Sequence, residues 1–435
     1  VRPSSRPMTC PQSIRISRRR FCALSSGAAL ASFPLLSSAL TAQTVPTGGT
    51  PTRPDVAAID HDRILAAAQQ YLSLPTTPLT ALLCPRSPAA AANYYSEPEA
   101  SLDASPRPTS PPPFLAHRDA VFTLGLAVPA LTAAFTLTGD TRYSDAASAH
   151  LRVWFIDPAT RMVPAMDFAQ TSPASSRPTP LNAAAPPAPR AGRYQGILEA
   201  LPLVEIAIAL PFLNHLSDPD RAAIRAWFTA YFHWLTDPHD SGPRLAMLAR
   251  DSKSHHGTSW MLQASACAWL AAPTGDIGRA EDSALVDLRH RFKSATLRTQ
   301  ISPEGLFPHE IGSPTPYRDS LFNLDMLAAI CRLLSTRLES IWDYQLEDGP
   351  GMRAAIAWHF PYMADRGKWP YRADTDHFDQ LPSRRVSLLL AARAYQRPEY
   401  AALWKTLKPD PPAPAVLRTI PIHQPLLWIR QPPAM

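Results

Sequence analysis

The chain has 435 residues, of which 46% are hydrophobic and only 18% are charged, so it contains enough apolar material for a large core. Its formal net charge of +6 includes six arginines within the first 20 residues. The remainder is close to neutral, and composition therefore gives no reason to expect a nucleic-acid partner. Recognition of an anionic ligand would depend on a local cluster of side chains.

Residues 1–42 are typical of an export signal. The run Ser17–Phe21 matches the twin-arginine pattern, and a small-residue apolar stretch follows it to a cleavage zone at 39–42. A membrane anchor is the alternative, but Pro34 and many serines dilute the segment. No later stretch has enough uninterrupted apolar residues to span a bilayer. We expect a periplasmic or secreted protein, with no stable membrane insertion after signal cleavage.

A Pro/Thr-rich linker covers residues 43–58, and most of the 49 prolines fall in the first 190 residues, which indicates rigid loops. From His117 onward, apolar residues recur at three- and four-residue steps, and strand patterns are few. The periodicity predicts helices over 60–72, 118–137, 141–154, 194–213, 218–235, 258–271, 278–299, 320–335, 350–364, 384–395 and 398–407.

Helix pairs joined by short loops, with long irregular loops on one face, predict an all-α fold. We expect an incomplete (α/α) toroid or barrel over residues 59–410, followed by a Pro-rich C-terminal tail over 411–435. The three cysteines after the leader have no regular spacing, which argues against a zinc motif and against a disulfide framework. No cofactor is predicted.

The polar stretch Ala249–Trp260 runs directly into an amphipathic helix. Gly257 permits a tight turn there, and Thr258 or Ser259 can cap the helix. Adjacent histidines would then lie at a helix N-terminus, where free N–H groups and the helix dipole favour an anion. The alternative is one capping and one solvent-facing histidine. The candidate site residues of this stretch are Arg250, Lys253, His255 and His256.

A second polar stretch runs from Pro303 to Asp325 and enters another predicted helix. It combines tyrosine, arginine, histidine and carboxylate side chains within a short distance along the chain. The alternative is a solvated loop with a structural ion pair. Its candidate site residues are Glu310, Tyr317 and Arg318.

Two shorter stretches offer further binding residues. Arg193, at the start of a predicted helix, can hold a carboxylate through two hydrogen bonds. Its alternative is an internal salt bridge with Glu199 or Asp167. Trp369 and Tyr371 can stack on sugar rings, and core packing is the alternative for both.

With these segments in order, residues 115–400 resemble the alginate lyase family, whose members cleave uronic-acid polysaccharides by β-elimination. The family runs are Asn-Asn-His-Gly-Thr, Phe-Pro-x-Glu-Leu, Tyr-Ser-Leu-Phe-Asn-Leu, Trp-Pro-Tyr, Gly-Arg-x-x-Gly-Ile and Asp-Pro-Ala-Thr-Arg-Met. The similar segments of this chain are, in that order, Ser254–Thr258, Phe307–Ile311, Asp319–Leu324, Trp369–Tyr371, Gly192–Ile197 and Asp157–Met162. Their common order makes the resemblance more specific than any one of them.

The resemblance implies an (α/α) toroid with a groove for an anionic polysaccharide of the alginate or glucuronan type. In such a lyase a neutralising group stabilises the enolate-like intermediate, while histidine or tyrosine removes the C5 proton and returns one to O4. His256 matches the family histidine, and His255 lies at the neutralising asparagine. We therefore expect His256 and Tyr317 as the acid/base pair, with His255 and Arg193 as neutralisers.

The chain departs from the family pattern at three positions. Ser254 and His255 replace the two asparagines, and Asp319 stands at the family tyrosine, two residues after Tyr317. These departures keep open a carbohydrate-binding protein with the lyase fold but weakened or lost catalysis.

Two other chemistries use residues of the same stretches. A glycoside hydrolase would need two carboxylates across the groove, and the candidates are Asp251, Glu310 and Asp319. A metal-dependent site could use His255, His256, His309 and Glu310. The spacing matches no metal motif closely, so no metal is assigned from the sequence.

Overall fold

The helices follow the apolar periodicity of the sequence. The structure, a computed structural model, describes residues 53–99, 112–172, 192–238 and 245–432. The α-helices of the first part are Val56–Ile59 (α1), His61–Tyr71 (α2), Ala116–Thr138 (α3), Thr141–Leu151 (α4), Leu203–Ala209 (α5), Asp218–Thr236 (α6) and Leu245–Arg250 (α7). Those that follow are His255–Ala271 (α8), Asp276–Glu281 (α9), Ser283–Arg291 (α10), Leu297–Gln300 (α11), Pro316–Leu334 (α12), Met352–Ala364 (α13), Val386–Tyr395 (α14), Pro398–Thr406 (α15), Pro414–Leu417 (α16) and Pro425–Ile429 (α17).

The prediction of an all-α fold is confirmed. Within the ranges given above there is no β-strand, and the only bridges pair Tyr95 with Phe168 and Gln345 with Gly351. Short 3₁₀ and π segments supplement the α-helices at Leu79–Ala81, Arg152–Ile156, Tyr194–Ala200, Leu210–Phe212, Phe292–Thr296, Arg366–Lys368 and Phe378–Gln380.

Two predicted long helices are divided into shorter segments. The predicted helix 194–213 is a 3₁₀ segment, then α5, then a second 3₁₀ turn, because Pro202 and Pro211 interrupt its hydrogen-bond ladder. The predicted helix 278–299 is interrupted at Asp282, whose carboxylate accepts the Leu285 N–H at 3.0 Å and starts α10.

Successive helices pack against one another in a continuous series. Helix α3 contacts α2, α4 and α5, helix α8 contacts α5, α6 and α12, and α14 contacts α12 and α15. The approach of α3 to α5 requires Gly125, because a β-carbon there would collide with Pro202. The buried faces form one core that extends from Val56 to Trp428.

Two segments have the length and apolar composition of a membrane span, which corrects the expectation that none follows the leader. They are Ala116–Thr138 and Tyr194–Phe212. In their most apolar windows, 67% and 83% of the residues are buried inside the protein. They therefore have the burial of core helices.

The predicted tail packs against the rest of the described chain. Val416, Ile422 and Trp428 are buried in the common core, and α17 contacts α1, α3 and α5. The segment from 411 to 432 thus continues the unit predicted as 59–410. Helix α1 likewise begins inside the predicted linker 43–58.

A buried carboxyl group anchors this C-terminal segment. Glu205 of α5, 2% exposed, accepts the backbone N–H groups of His423 at 2.7 Å and Gln424 at 2.9 Å. Burial raises the pKa of Glu205 to about 7, despite these hydrogen bonds. The folded protein therefore retains a proton on Glu205 that the unfolded chain releases at lower pH.

The free energy of unfolding is expected to fall as the pH rises from about 5 to about 7. The contribution of Glu205 to this fall is up to about 3 kcal/mol. The sign follows because the folded state binds more protons than the unfolded state between those two pH values. Glu205→Gln should remove this part of the decrease, as measured by urea unfolding at both pH values. The exposed Glu281→Gln is the control, and an unchanged pH dependence in Glu205→Gln would contradict the assignment.

The predicted signal peptide 1–42 and the first part of the linker lie outside the described residues.

Candidate functional site

The two adjacent histidines open helix α8. The helix begins at His255, three residues earlier than predicted, and Ser254 before it is extended without a side-chain cap. Gly257 lies against Ser252, where any β-carbon would collide with the Ser252 carbonyl oxygen. Only glycine allows this close approach, so the local sequence fixes where the histidines stand.

Glu310 caps the helix in place of the predicted hydroxyl residues. Its Oε1 accepts the backbone N–H of His255 at 2.6 Å, and its Oε2 lies 2.6 Å from His255 Nδ1. The Glu310 side chain is 1% exposed and the His255 side chain 14%. The helix N-terminus, expected to attract an anionic sugar, is therefore already satisfied by a carboxylate of the protein.

The two imidazole rings stack and differ in their electrostatic surroundings. Their centroids are 4.4 Å apart at an interplanar angle of 26°. Burial disfavours the charged form of His255, but the Glu310 charge and hydrogen bond outweigh it and raise its pKa. Burial, with the adjacent His255, lowers the pKa of His256 to about 3. His256 is therefore a neutral imidazole at pH values near 7.

A third group from α12 joins the pair. Asp319 lies in the first turn of that helix, and its Oδ2 accepts the Thr315 hydroxyl at 3.1 Å. Burial raises the pKa of its carboxyl group, although the nearby His255 opposes the shift. His255, Glu310 and Asp319 each place one potential metal-ligand atom within 4.8 Å of the other two.

The buried side-chain amides of Gln300 and Asn323 hydrogen-bond to each other and connect the start of α8 to Glu310. The Gln300 amide donates to the Ser254 carbonyl at 3.1 Å and accepts from Asn323 Nδ2 at 3.1 Å. Asn323 Nδ2 is also 3.5 Å from Glu310 Oε1. Both amides are almost completely buried, so they fix the relative positions of the α8 start and the Glu310 loop.

His256 faces an aromatic ring from another segment. The ring of Tyr194 meets it edge to face, with centroids 5.6 Å apart. His256 Nδ1 is 2.9 Å from the Ser254 hydroxyl, which orients the imidazole. Both residues are half-buried, so each keeps part of its surface exposed.

The sequence of this chain matches the alginate lyase family model over residues 84–369, which is more than half of its length. The chain belongs to the alginate lyase family. No curated protein matches it.

Among solved structures, the fold is similar to an alginate lyase from Bacteroides ovatus, with a TM-score of 0.66 and 20% identity over 84% of this chain and 93% of that one. The A1-III alginate lyase of Sphingomonas species A1 gives a TM-score of 0.45 and 13% identity, over 82% of this chain and 91% of that one. A variant of A1-III with a bound tetrasaccharide gives a TM-score of 0.46 and 13% identity, over 82% of this chain and 91% of that one. Family and fold confirm the predicted (α/α) toroid and support a polysaccharide lyase.

Tyr317 lies in the core and makes none of its hydrogen bonds or ring contacts with the two histidines. It is 0% exposed, its hydroxyl donates to the Tyr362 carbonyl at 2.9 Å, and its ring packs on Trp369. The cause is that α12 starts at Pro316 rather than near 320, because the Asp374 carboxylate accepts the N–H groups of residues 317 and 318. The structure contradicts the prediction that Tyr317 transfers a proton.

The other predicted binding residues are spread over the surface and the core. Arg318 forms an ion pair with Asp376 at 3.2 Å, and Arg250 pairs with Asp251 at 2.8 Å. Trp369 is 7% exposed, which agrees with its core-packing alternative and contradicts a sugar-stacking role. The exposed ones are Lys253, Tyr371 and Arg193. The carboxylates considered as partners of Arg193 are bonded elsewhere: Glu199 accepts from the Tyr94 hydroxyl, and Asp167 from Trp234 Nε1.

Three residues of the assembled site are not among those that the sequence predicts for the lyase. Tyr194 directly follows the predicted Arg193 in a run that resembles the family, and that run is the signal that could have identified it. The sequence presents Asp319 as a departure from the family tyrosine and as a candidate carboxylate of a glycoside hydrolase, but not as a neighbour of His255. Gln300 lies outside every motif, and only the three-dimensional contacts identify it.

Proposed function

We propose that this protein cleaves a uronate-containing polysaccharide of the alginate or glucuronan type by β-elimination, in the periplasm or outside the cell. The observation that carries the proposal is the contact of a half-buried, oriented imidazole, His256, with the ring of Tyr194. The two groups supply a base and a proton donor in a member of the alginate lyase family.

His256 is assigned as the base that removes the C5 proton. Donation of its Nδ1–H to the Ser254 hydroxyl leaves a lone pair on Nε2, for which no described residue is a partner. Neutral imidazole can accept a proton without first losing one. The negative uronate bound beside it favours the imidazolium that forms.

Tyr194 is assigned as the group that returns a proton to the departing O4 oxygen. Its ring contacts His256 from a separate segment, so the phenol and the imidazole can address two atoms of one sugar linkage. The uronate carboxylate would be neutralised from the side of His255, which stacks on His256, with the exposed Arg193 beside Tyr194.

Tyr194→Phe is expected to lower the rate of elimination by about 100-fold, because general acid catalysis contributes on the order of 10²–10⁴. Tyr317→Phe is the matched control. It removes one buried hydrogen bond to Tyr362, so it should cost about 1 kcal/mol of stability and leave the rate nearly unchanged. Equal rates in the two variants would contradict the assignment of Tyr194.

The experiment that tests the function follows the ultraviolet absorbance of unsaturated uronic ends when the purified protein meets alginate, glucuronan and related polymers. Growth of this absorbance with one of them supports the proposal. Binding measured by calorimetry without any such product would instead select a carbohydrate-binding protein, which the buried Tyr317 and the Asp319 substitution favour.

A further inference from the structure

Three metal-ligand side chains lie beside the proposed base. One potential ligand atom each from His255, Glu310 and Asp319 lies within 4.8 Å of the other two. We propose that this cluster binds one divalent ion of the Zn²⁺ class, which neutralises the uronate carboxylate during elimination. The role of the ion rests on the proposed function, whereas the binding site itself does not.

The donor set fits such an ion. One imidazole nitrogen and two carboxylate oxygens are ligands that zinc takes in proteins, and three protein ligands leave a position for a substrate oxygen. The ligands come from three separate parts of the fold: the start of α8, the loop before α12 and the first turn of α12. Glu310 is buried, whereas His255 and Asp319 are half-buried, so two of the three ligand residues keep some exposed surface.

Charge gives a second reason. Of the two carboxylates at the place where the proposed function binds an anionic sugar, Glu310 is paired with His255, and an ionised Asp319 would repel that sugar. A divalent ion cancels both charges and offers its open position to the uronate carboxylate. His255 Nδ1 is 2.6 Å from Glu310 Oε2. On binding the ion, the proton between these two atoms would be released, and both atoms would coordinate the ion.

A buried amide beside the same cluster has an oxygen without a hydrogen-bond partner. Asn323 is 0% exposed and its Oδ1 has no hydrogen-bond partner, while its Nδ2 is 3.5 Å from Glu310 Oε1. A fully buried acceptor without a partner is unfavourable. Water bound to an ion at Glu310 would supply the missing donor. This unsatisfied acceptor is independent of the arrangement of the three proposed ligands.

The sequence departures meet at this point. By the resemblance of the sequence runs, His255 corresponds to an asparagine of the family and Asp319 to a tyrosine. Each change replaces an amide or a phenol by a better zinc ligand, and the structure brings both new groups against Glu310. An ion bound by all three side chains would explain why His255 and Asp319 both lie beside Glu310.

Calorimetry with zinc chloride tests the site without any polysaccharide. The chelator-treated full chain should bind one ion, and Asp319→Asn and His255→Gln should each weaken binding at least about ten-fold. Asp251→Asn, an exposed carboxylate of the neighbouring segment, is the matched control and should keep the affinity. Circular dichroism of the metal-free variants confirms that they are folded.

Absence of binding, or binding that both ligand variants retain, overturns the metal site. The role of the ion is tested by measuring elimination after chelation and after zinc is restored, with recovery as the expected result. Full activity in chelator overturns the role of the ion while the lyase proposal stands. One bound zinc per chain with no elimination from any uronate polymer confirms the site and refutes the proposed function.

Discussion

His256→Ala should lower the rate of elimination on the order of 10³-fold while the protein remains folded. The variant removes the proposed base and its contact with Ser254, and general base catalysis contributes about 10²–10⁴. The stability cost should be small, because His256 is half-buried at the start of α8 and makes no ion pair. The measurement is the initial rate of unsaturated-end formation, with far-ultraviolet circular dichroism to confirm the fold.

The control for His256→Ala is His290→Ala, which removes an exposed histidine from α10. Its rate should equal that of the unmodified protein. A His256→Ala variant that keeps more than about a tenth of the rate would show that another group removes the proton.

The second large effect concerns the stability of the core. Asp325 of α12 and Arg385 are both 0% exposed, and Asp325 accepts from Arg385 at 3.3 Å and from the Ser387 N–H at 2.9 Å. Asp325→Ala leaves a guanidinium buried without its counter-charge, so the free energy of unfolding should fall by about 3–5 kcal/mol. Urea unfolding at fixed pH measures the loss.

An exposed pair provides the comparison for that variant. Asp348 and Arg298 lie 2.8 Å apart with more than half of each side chain exposed, so Asp348→Ala should cost no more than about 1 kcal/mol. A similarly small loss in Asp325→Ala would mean that the buried pair does not hold α12 to the α14 start.

The helical framework was predictable because its signal is local. The apolar period predicted α3, α6 and α15 within about two residues, since each buries one continuous face. Interruptions within a predicted helix were harder to predict from the sequence. Pro202 and Pro211 were present in the sequence, but the surrounding apolar period concealed their effect, and the tail helices α16 and α17 were hidden by their proline content.

The sequence predicts the candidate site around the two histidines, but it does not predict their contacts. His255 and His256 were identified by their position before a helix, which is a property of neighbouring residues. The partners of these histidines come from distant segments: Glu310, Gln300 and Tyr194. Tyr317 was misplaced because its environment depends on Asp374, which caps α12 from 57 residues away.

The most direct test of the lyase proposal is the mass of the products formed in water enriched in oxygen-18. β-Elimination breaks the O4 bond without adding water, so each new unsaturated end should be one water lighter than a hydrolysis end and contain no solvent oxygen. Mass spectrometry of oligosaccharides from alginate or glucuronan should show this result, and His256→Ala should not form these products. Products without an unsaturated end, each pair of which together contains one added water for each bond broken, would contradict the proposal and indicate a hydrolase.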